Sequence, residues 1–235
     1  LAKRLKPKTI NCHLNCIGGF YGYLRHEEGI GVVNPVKAGL RLRVPKPLPL
    51  HLKEEQVEQL FGVISKPRDR AMFRIMLRCG LRVEEVAKLT LADLDLKRRK
   101  ILVQCGKGGK GRVVYISDDA LDALVGYLKT RPRSKAKRLF LVEKGPYYGR
   151  ALSVRGIQKR IEYDAKKAGI EVSCHQLRHT MATQLLNADT QVETIQDLLG
   201  HNWVTTTQRY CTVSNTKVMR DYFRAMDIIM HRTAR

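Results

Sequence analysis

The stretch HQLRH at residues 175–179, read with LLGH at residues 198–201 and Tyr210 further on, decides what this sequence predicts. The first histidine and the arginine of HQLRH are three residues apart, so on a helix they share one face. The glycine of LLGH is a typical helix terminator and places a histidine directly after the helix end. Imidazoles, a guanidinium and a phenol are the groups that move protons, grip a phosphate and attack as an oxygen nucleophile.

The composition favours a polyanionic partner. The 235 residues include 44 Lys and Arg against 22 Asp and Glu, a formal net charge of +22. This balance indicates nucleic acid or an anionic membrane surface as the partner. No apolar run approaches the roughly 20 residues that a membrane span needs, so we expect no membrane-spanning segment.

Neither cysteine nor histidine spacing predicts a metal site. Cys12 and Cys16 flank a histidine, but no second cysteine pair completes a zinc-binding spacing. His175 and His179 have the spacing of a zinc motif, yet Gln176 occupies the place of its glutamate, so His179 is interpreted as structural. We expect no metal and no cofactor. Scattered, reduced thiols are typical of a cytoplasmic protein.

A proline-rich strap divides the chain. Prolines at positions 45, 47 and 49 exclude a helix and favour an extended segment. We therefore predict a linker at residues 45–51 between two parts. Residues 1–44 contain a helix predicted over 8–28 and look like the end of a helical domain, whereas residues 52–235 form the larger domain.

The larger part is predicted to be mainly α-helical with a small β element. Apolar residues recur at helical spacing in most segments, and glycines mark several helix ends. Two β-rich runs flank a Gly-Lys turn, which is typical of a hairpin. The predicted helices cover residues 52–64, 68–79, 83–89, 118–130, 154–168, 175–187, 191–199, 204–212 and 215–230, and the predicted strands cover residues 100–105 and 112–116.

Three segments together resemble the phage integrase family of tyrosine recombinases. These are CGLRVEEVAKLTLADLD at residues 79–95, HQLRHTMATQLL at residues 175–186 and IQDLLGHNWVTTTQRY at residues 195–210. Their order, their spacing and their flanking apolar residues agree with the family over nearly the whole chain. The resemblance implies a tyrosine-recombinase catalytic domain preceded by part of a helical core-binding domain.

The hairpin turn GKGGKG at residues 106–111 has two other interpretations to exclude. It contains the glycine spacing of a dinucleotide-binding loop, but a strand follows it where that loop requires a helix. It also lacks the Ser or Thr of a phosphate-binding Walker loop. By resemblance this turn carries the family's catalytic lysine, which is Lys107 by its distance from Arg82, with Lys110 as the alternative.

The resemblance implies one reaction, in which a tyrosine attacks a DNA phosphodiester and becomes joined to the 3′ phosphate. Arg82 and Arg178 would neutralise the phosphate, and Glu85 would support these basic groups. The general acid would be Lys107 and the general base for the tyrosine would be His175, with His201 hydrogen-bonded to the phosphate. The six catalytic residues implied are Arg82, Lys107, His175, Arg178, His201 and Tyr210.

The partners implied are double-stranded DNA with paired recombination sites and further copies of the chain. Family members assemble as tetramers on DNA, and the apolar stripe of residues 215–230 is predicted to dock in a neighbouring protomer. In a prokaryote such a protein is expected in the cytoplasm with the nucleoid, acting in DNA recombination, in integration or on a mobile element. The residues predicted to contact DNA are Arg41, Arg43, Lys110, Arg112, Arg150 and Arg155.

Two other functions compete with a site-specific recombinase of the integrase, transposase or resolvase type. A nicking-closing enzyme like the type IB topoisomerases uses the same chemistry. A DNA-binding regulator with a silent active site is the alternative outside enzymes. The complete set of six catalytic positions argues against that regulator, because a decayed enzyme usually lacks one of them.

Overall fold

The structure is a computed structural model, and it describes residues 5–44, 51–104, 111–188, 190–200 and 215–233. The chain separates into two compact units, Leu1–Leu48 and Pro49–Arg235. Lys107, Lys110, His201, Tyr210 and the helix predicted over residues 204–212 lie outside the described residues.

The first unit is built on helix α1, Pro7–His26. Its first helical residue is a proline, whose fixed φ angle suits a helix start. The Asn11 side chain exchanges two hydrogen bonds with the backbone of Leu42, at 2.8 and 2.9 Å, and so ties the returning chain to the helix. Arg41 and Arg43 are exposed beside this contact.

The second unit contains eight described α-helices, a short 3-10 helix at Leu91–Asp93 and a small antiparallel sheet. The strands lie in the order β1–β2–β3, and Val103 of β2 pairs with Arg112 of β3. The helices are α2 (Glu54–Val63), α3 (Pro67–Cys79), α4 (Val83–Lys88), α5 (Asp118–Thr130), α6 (Val154–Ala168), α7 (Cys174–Asn187), α8 (Val192–Leu199) and α9 (Asn215–Thr233), and the strands are β1 (Leu94–Asp95), β2 (Lys100–Val103) and β3 (Arg112–Tyr115).

Helix α3 is the central element of this unit. It packs against α5 and α7, and residues on every side of it are buried, among them Phe73, Ile75 and Met76. Pro67 stands in its first turn, and the helix ends at Gly80 with a φ angle of 65°, in the left-handed region. A helix buried all round is fixed on several sides, so the residues that follow its end are held firmly.

A second apolar cluster joins α7, α8, α9 and β3. Tyr222 of α9 is fully buried beside Tyr115 of β3, and its hydroxyl donates to the Arg78 carbonyl at 3.2 Å. Met226 and Ile229 of α9 are buried in the same cluster. Helix α9 therefore covers its own unit with its apolar face in this structure.

The predicted fold class, mainly α with a small β element, is confirmed. The predicted helices over 118–130 and 154–168 have the observed ends, and the hairpin is present as β2 and β3. The short strand β1 was not predicted. In the described part of the chain no helix is long and apolar enough to cross a membrane.

Candidate active site

Arg178 of α7 joins two helix ends. Its side chain is buried, and Nη1 donates to the carbonyl of Gly80 at the end of α3. Nη2 donates to the carbonyl of Leu199 at the end of α8, at 2.5 Å. Burial lowers the pKa of Arg178 to about 9, and the charges of Arg82 and Arg112 act in the same direction. A bound anion would compensate this charge, so the guanidinium is suited to receive one.

Arg82 stands at the start of α4, two residues after the end of α3. Its backbone N–H donates to Glu85 Oε2 at 2.7 Å, and its Nη1 donates to Glu85 Oε1 at 2.9 Å. The Arg82 side chain remains 26% exposed. Arg82 is therefore anchored at one side and still open to a ligand at the other.

Glu85 receives a second arginine from strand β3. Nη1 and Nη2 of Arg112 donate to the two carboxylate oxygens of Glu85 at 2.8 and 2.9 Å, a bidentate pair. Burial alone would raise the pKa of Glu85, but its bonds with Arg112 and Arg82 outweigh burial and the pKa is lowered. Glu85 is thus a carboxylate at neutral pH, as its predicted supporting role requires.

The C-terminal end of α8 is a shared anchor for all three arginines. The last carbonyls of a helix have no partner inside it, and the helix dipole makes this end electronegative. Three consecutive carbonyls here each accept a hydrogen bond from a different guanidinium. The pairs are Arg112 Nε with Leu198 at 2.8 Å, Arg178 Nη2 with Leu199 at 2.5 Å, and Arg82 Nη2 with Gly200 at 3.3 Å.

Glycine is strongly favoured at both helix ends that hold these arginines. Gly80 has a φ angle of 65°, and a Cβ there would lie 2.9 Å from Leu199 and Met181. Gly200 has a φ angle of 58°, and a Cβ there would lie 3.0 Å from Cδ of Arg112. A side chain at either position would meet both backbone strain and a neighbour.

His175 lies in the first turn of α7, where it is exposed. Its ring is 4.3 Å from that of His179, centroid to centroid, in an edge-to-face arrangement. Burial lowers the pKa of His179, and the neighbouring His175 and Arg178 lower it further. His179 is therefore neutral at pH 7 and packs against His175, consistent with its predicted structural role.

One cleft of about 520 Å³ collects the described members of the predicted site. Arg82, His175 and Arg178 line it, together with Arg155 from the start of α6. A second cavity of about 570 Å³ lies on the other side of Arg82 and is lined also by Glu85 and Asp93. The fold therefore assembles three predicted catalytic side chains from α4 and α7 around one open space.

The residues predicted to bind DNA take different positions. Arg150 is exposed and lies over the ring of Tyr147, 5.6 Å from its centroid, in the loop between α5 and α6. Arg155 lines the cleft. The Arg112 side chain is 11% exposed, and its guanidinium is bonded to Glu85 and to the Leu198 carbonyl.

Sequence reasoning missed the carbonyl anchors and the Glu85–Arg112 pair. Gly80 and Gly200 are recognisable helix ends, which is the available signal for exposed carbonyls. The contacts of β3 with α4 and α8 are tertiary contacts that no local pattern reveals.

Among the described residues there is no group of three or more His, Cys, Asp or Glu side chains able to hold a metal ion.

Comparison with known sequences identifies relatives. The profile described as the phage integrase family matches residues 51–217. The chain is 36% identical over 187 residues to the tyrosine recombinase XerA of Pyrococcus horikoshii, covering 80% of this chain and 65% of that protein. It is 36% identical over 214 residues to the tyrosine recombinase XerC of Actinobacillus succinogenes, covering 88% of this chain and 70% of that protein. The chain thus spans less than two thirds of the length of the Pyrococcus relative.

Solved structures share the fold. A crystal structure of XerA recombinase matches with a TM-score of 0.62 at 28% identity, over 94% of this chain and 84% of that one. The Tn1549 transposon integrase in complex with circular intermediate DNA matches with a TM-score of 0.69 at 22% identity, over 97% of this chain and 80% of that one. At that identity the second match speaks for the fold alone.

Proposed function

The chain belongs to the phage integrase family of tyrosine recombinases, and from this premise we propose that it is a site-specific DNA recombinase. It cuts and rejoins DNA strands through a 3′-phosphotyrosine intermediate. Its relatives from Pyrococcus and Actinobacillus are named tyrosine recombinases, and a DNA complex is known for the Tn1549 integrase. The family to which the chain belongs agrees with the enzyme class predicted from the sequence.

The observation that carries the proposal is the convergence of Arg82, Arg178 and His175 on one cleft. The two guanidiniums are anchored by carbonyls and by one bonded carboxylate. The charged residues that line the cleft are three arginines and two glutamates, Glu84 and Glu162, so positive charge is in excess there. A phosphodiester gains negative charge on its nonbridging oxygens during transesterification. Preorganised guanidiniums stabilise such charge without reorganisation at the moment of reaction.

The reaction balances without an external energy source. The Tyr210 oxygen attacks phosphorus, the bond to the 5′ oxygen breaks, and the phosphate stays joined to the tyrosine. His175 accepts the phenolic proton, Lys107 supplies a proton to the departing 5′ oxygen, and His201 donates a hydrogen bond to the phosphate. Reversal with a new 5′ hydroxyl rejoins the strand. Because one phosphoester replaces another, the step needs no nucleotide hydrolysis.

The proposal extends to the parts that grip DNA. Residues 1–44 are the C-terminal part of a helical core-binding domain, residues 45–51 are a linker, and residues 52–235 are the catalytic domain. The exposed Arg41 and Arg43, with Arg150, Arg155 and Lys110, would contact phosphates and so position the duplex without reading its sequence.

Assembly and location complete the proposal. Strand exchange between paired sites needs several protomers, and we place them in a tetramer that shares α9. In the structure α9 covers its own unit through Tyr222, Met226 and Ile229, so exchange would transfer this buried face to a neighbour. The expected location is the cytoplasm, with the nucleoid in a prokaryote.

A nicked suicide duplex tests the covalent step. The duplex carries a sequence selected from a randomised pool by the binding of the chain itself, and the nick lets the strand beyond the cut diffuse away. We expect protein to become joined to the 3′ end without added metal or nucleotide. Tyr210→Phe should bind the same duplex and form no adduct.

The control for the adduct test is chemical. An adduct that persists in Tyr210→Phe, or one attached to the 5′ end, would overturn the assignment of the nucleophile. Binding without any adduct by the unsubstituted chain, on duplexes nicked at each position of the selected site, would overturn the proposed activity.

A further inference from the structure

Arg112 is a basic residue that no catalytic step above uses, although it is bonded to the centre of the site. We propose that Arg112 is a positioning residue. It binds Glu85 and the end of α8, so that the positive charge of Arg82 stays uncompensated and available to the phosphate. This inference rests on the proposed function for its meaning in catalysis. The geometry behind it concerns only described residues.

The carboxylate of Glu85 is shared unequally between two arginines. Arg112 meets both of its oxygens in a fork, whereas the side chain of Arg82 reaches only Oε1. Fork-shaped arginine–carboxylate pairs are the stronger and more directional arrangement. The negative charge of Glu85 is therefore balanced mainly by Arg112, and Arg82 remains a cation that is only partly paired.

The hydrogen bonds of Arg112 argue against a direct DNA contact. Each of its three side-chain nitrogens has a partner in the chain: the two terminal nitrogens bind Glu85, and Nε binds the Leu198 carbonyl. Position decides the matter rather than burial, because Arg178 is buried and still lines the cleft, whereas Arg112 is absent from that lining.

Arg112 also links β3 to the end of α8. Its Nε bond to Leu198 and the packing of its Cδ beside Gly200 fix the turn of chain that offers carbonyls to the other two arginines. Among the described residues, loss of Arg112 would leave the buried Glu85 with Arg82 as its only side-chain partner. Arg82 would then be drawn into the vacated fork, away from the cleft, and the end of α8 would lose one of its three anchors.

The experiment compares Arg112→Gln with a matched control, Arg160→Gln. Arg160 donates from Nε to the buried Asp69 at 2.7 Å and does not line the cleft, so its loss also removes an arginine–carboxylate bond. Both variants are made in the full chain. Thermal melting, the affinity for the selected duplex at several salt concentrations and the single-turnover rate of adduct formation at saturating DNA are measured for each.

We expect Arg112→Gln to lower the cleavage rate by roughly 100-fold, the scale for misplacing a catalytic group. The log–log salt slope of DNA affinity should stay unchanged, since no phosphate contact is lost. Arg160→Gln should lower the melting temperature and leave the cleavage rate of the folded protein intact. Arg112→Lys, which keeps the charge without the fork, should retain part of the rate.

A double substitution tests the route through Glu85. In a Glu85→Gln background the carboxylate that competes for Arg82 is gone, so adding Arg112→Gln should cost much less than it does alone. Fully additive losses would overturn the inference. A fall in the salt slope by about 0.9 would overturn it as well, because it would mean that Arg112 neutralises a phosphate.

A binding readout separates this inference from the proposed function. Inorganic phosphate is titrated while the side-chain Nε–H signal of Arg82 is followed by NMR. We expect the signal to shift in the unsubstituted chain and in Arg160→Gln, and to respond far more weakly in Arg112→Gln. If no chain forms a DNA adduct, the proposed function fails while this titration still decides the role of Arg112. An equal response in all three chains would overturn the positioning role.

Discussion

Two clusters of buried charge in the same unit are built on opposite principles. In the cleft cluster, Arg82 and Arg112 bind one carboxylate, Glu85, and Arg178 binds two carbonyls. In the α3–α6 network, Arg68 and Arg160 pair with three carboxylates. Asp69 pairs with both arginines at 2.7 Å, Asp164 pairs with Arg160 at 3.5 Å, and Glu143 pairs with Arg68 at 3.6 Å.

The difference lies in what replaces the missing acids. The α3–α6 network matches its positive charges with negative ones and has no surplus to offer a ligand. The cleft cluster anchors its guanidiniums on neutral carbonyls at the ends of α3 and α8, so hydrogen bonds are satisfied while positive charge remains. In the α3–α6 network, ion pairs hold the helices together. In the cleft cluster, helix ends bind the arginines and leave their positive charge available to an anion.

The largest expected effect comes from changing one arginine in each cluster to lysine. Arg178→Lys should lower the rate of adduct formation roughly 1,000-fold, because a point-charge ammonium cannot span two carbonyls and also present a planar fork to phosphate. Arg160→Lys should change that rate little, since Arg160 contributes only to the packing of the fold. Single-turnover cleavage at saturating DNA measures both.

One outcome would contradict the predicted difference between these two arginines. Equal rate losses in Arg178→Lys and Arg160→Lys, after correction for the folded fraction by circular dichroism, would show that the two clusters do not differ in function.

A smaller effect is expected from two glycines that end helices in the same conformation. Gly200 and Gly169 have φ angles of 58° and 70°, so alanine at either should cost about 1–2 kcal/mol of unfolding free energy. At Gly169 nothing lies within 4 Å of an added Cβ, but at Gly200 the Arg112 side chain lies at 3.0 Å. Gly200→Ala should therefore also slow cleavage, by roughly 10-fold.

Denaturant titration of both glycine variants measures the loss of unfolding free energy, and single-turnover cleavage measures the loss of rate. If Gly169→Ala slows cleavage as much as Gly200→Ala does, the loss follows general destabilisation and the end of α8 has no special part in it.

The smallest effect is a pair of opposite pH dependences. Burial raises the pKa of Asp164, and Asp69 adds to this, so its ionisation weakens the fold progressively as pH rises above the ordinary aspartate pKa of 3.8. Glu85 has a lowered pKa, so its contribution to stability is present above the ordinary pKa of 4.5 and is lost as pH falls through the folded-state value. Asp164→Asn should raise the unfolding free energy at pH 7 by about 1 kcal/mol, because it removes a buried negative charge whose desolvation outweighs its pairing with Arg160.

Urea titrations between pH 3 and pH 7 measure these slopes. The gain from Asp164→Asn should shrink towards pH 3, whereas the loss from Glu85→Gln should be greatest at pH 7. A gain that is independent of pH would mean that the charge of Asp164 is not what weakens the fold.

The elements that sequence predicted well are those whose ends are marked locally. Helix α6 begins after Ser153, whose hydroxyl accepts from the Gly156 N–H, and ends at Gly169 in the left-handed conformation. Such caps are contained in a few neighbouring residues, so a pattern can reveal them. Strand β1 has only two residues, which is too short to show a strand period, and it exists because β2 lies beside it.

The site divides in the same way. His175 and Arg178 share one helix, so their spacing alone predicts that they act together. Arg112 has no such signal: its charge predicts a DNA contact, and only the packing of β3 against α4 and α8 shows its bonds to Glu85 and Leu198. Long-range partners of this kind can be predicted only from the complete fold, whereas neighbours on one helix can be predicted from their spacing.

The carbonyls at the end of α8 have a genetic consequence. A missense mutation replaces a side chain and leaves the main-chain oxygen in place, so these three acceptors cannot be deleted one codon at a time. The donors are encoded at three single positions, but the acceptors depend on whatever sequence makes the helix stop at residue 200. In a library of all single substitutions, inactive variants that still fold should therefore occur at the three arginines and at Gly200, besides the other catalytic residues, and no single substitution should remove an acceptor oxygen by itself.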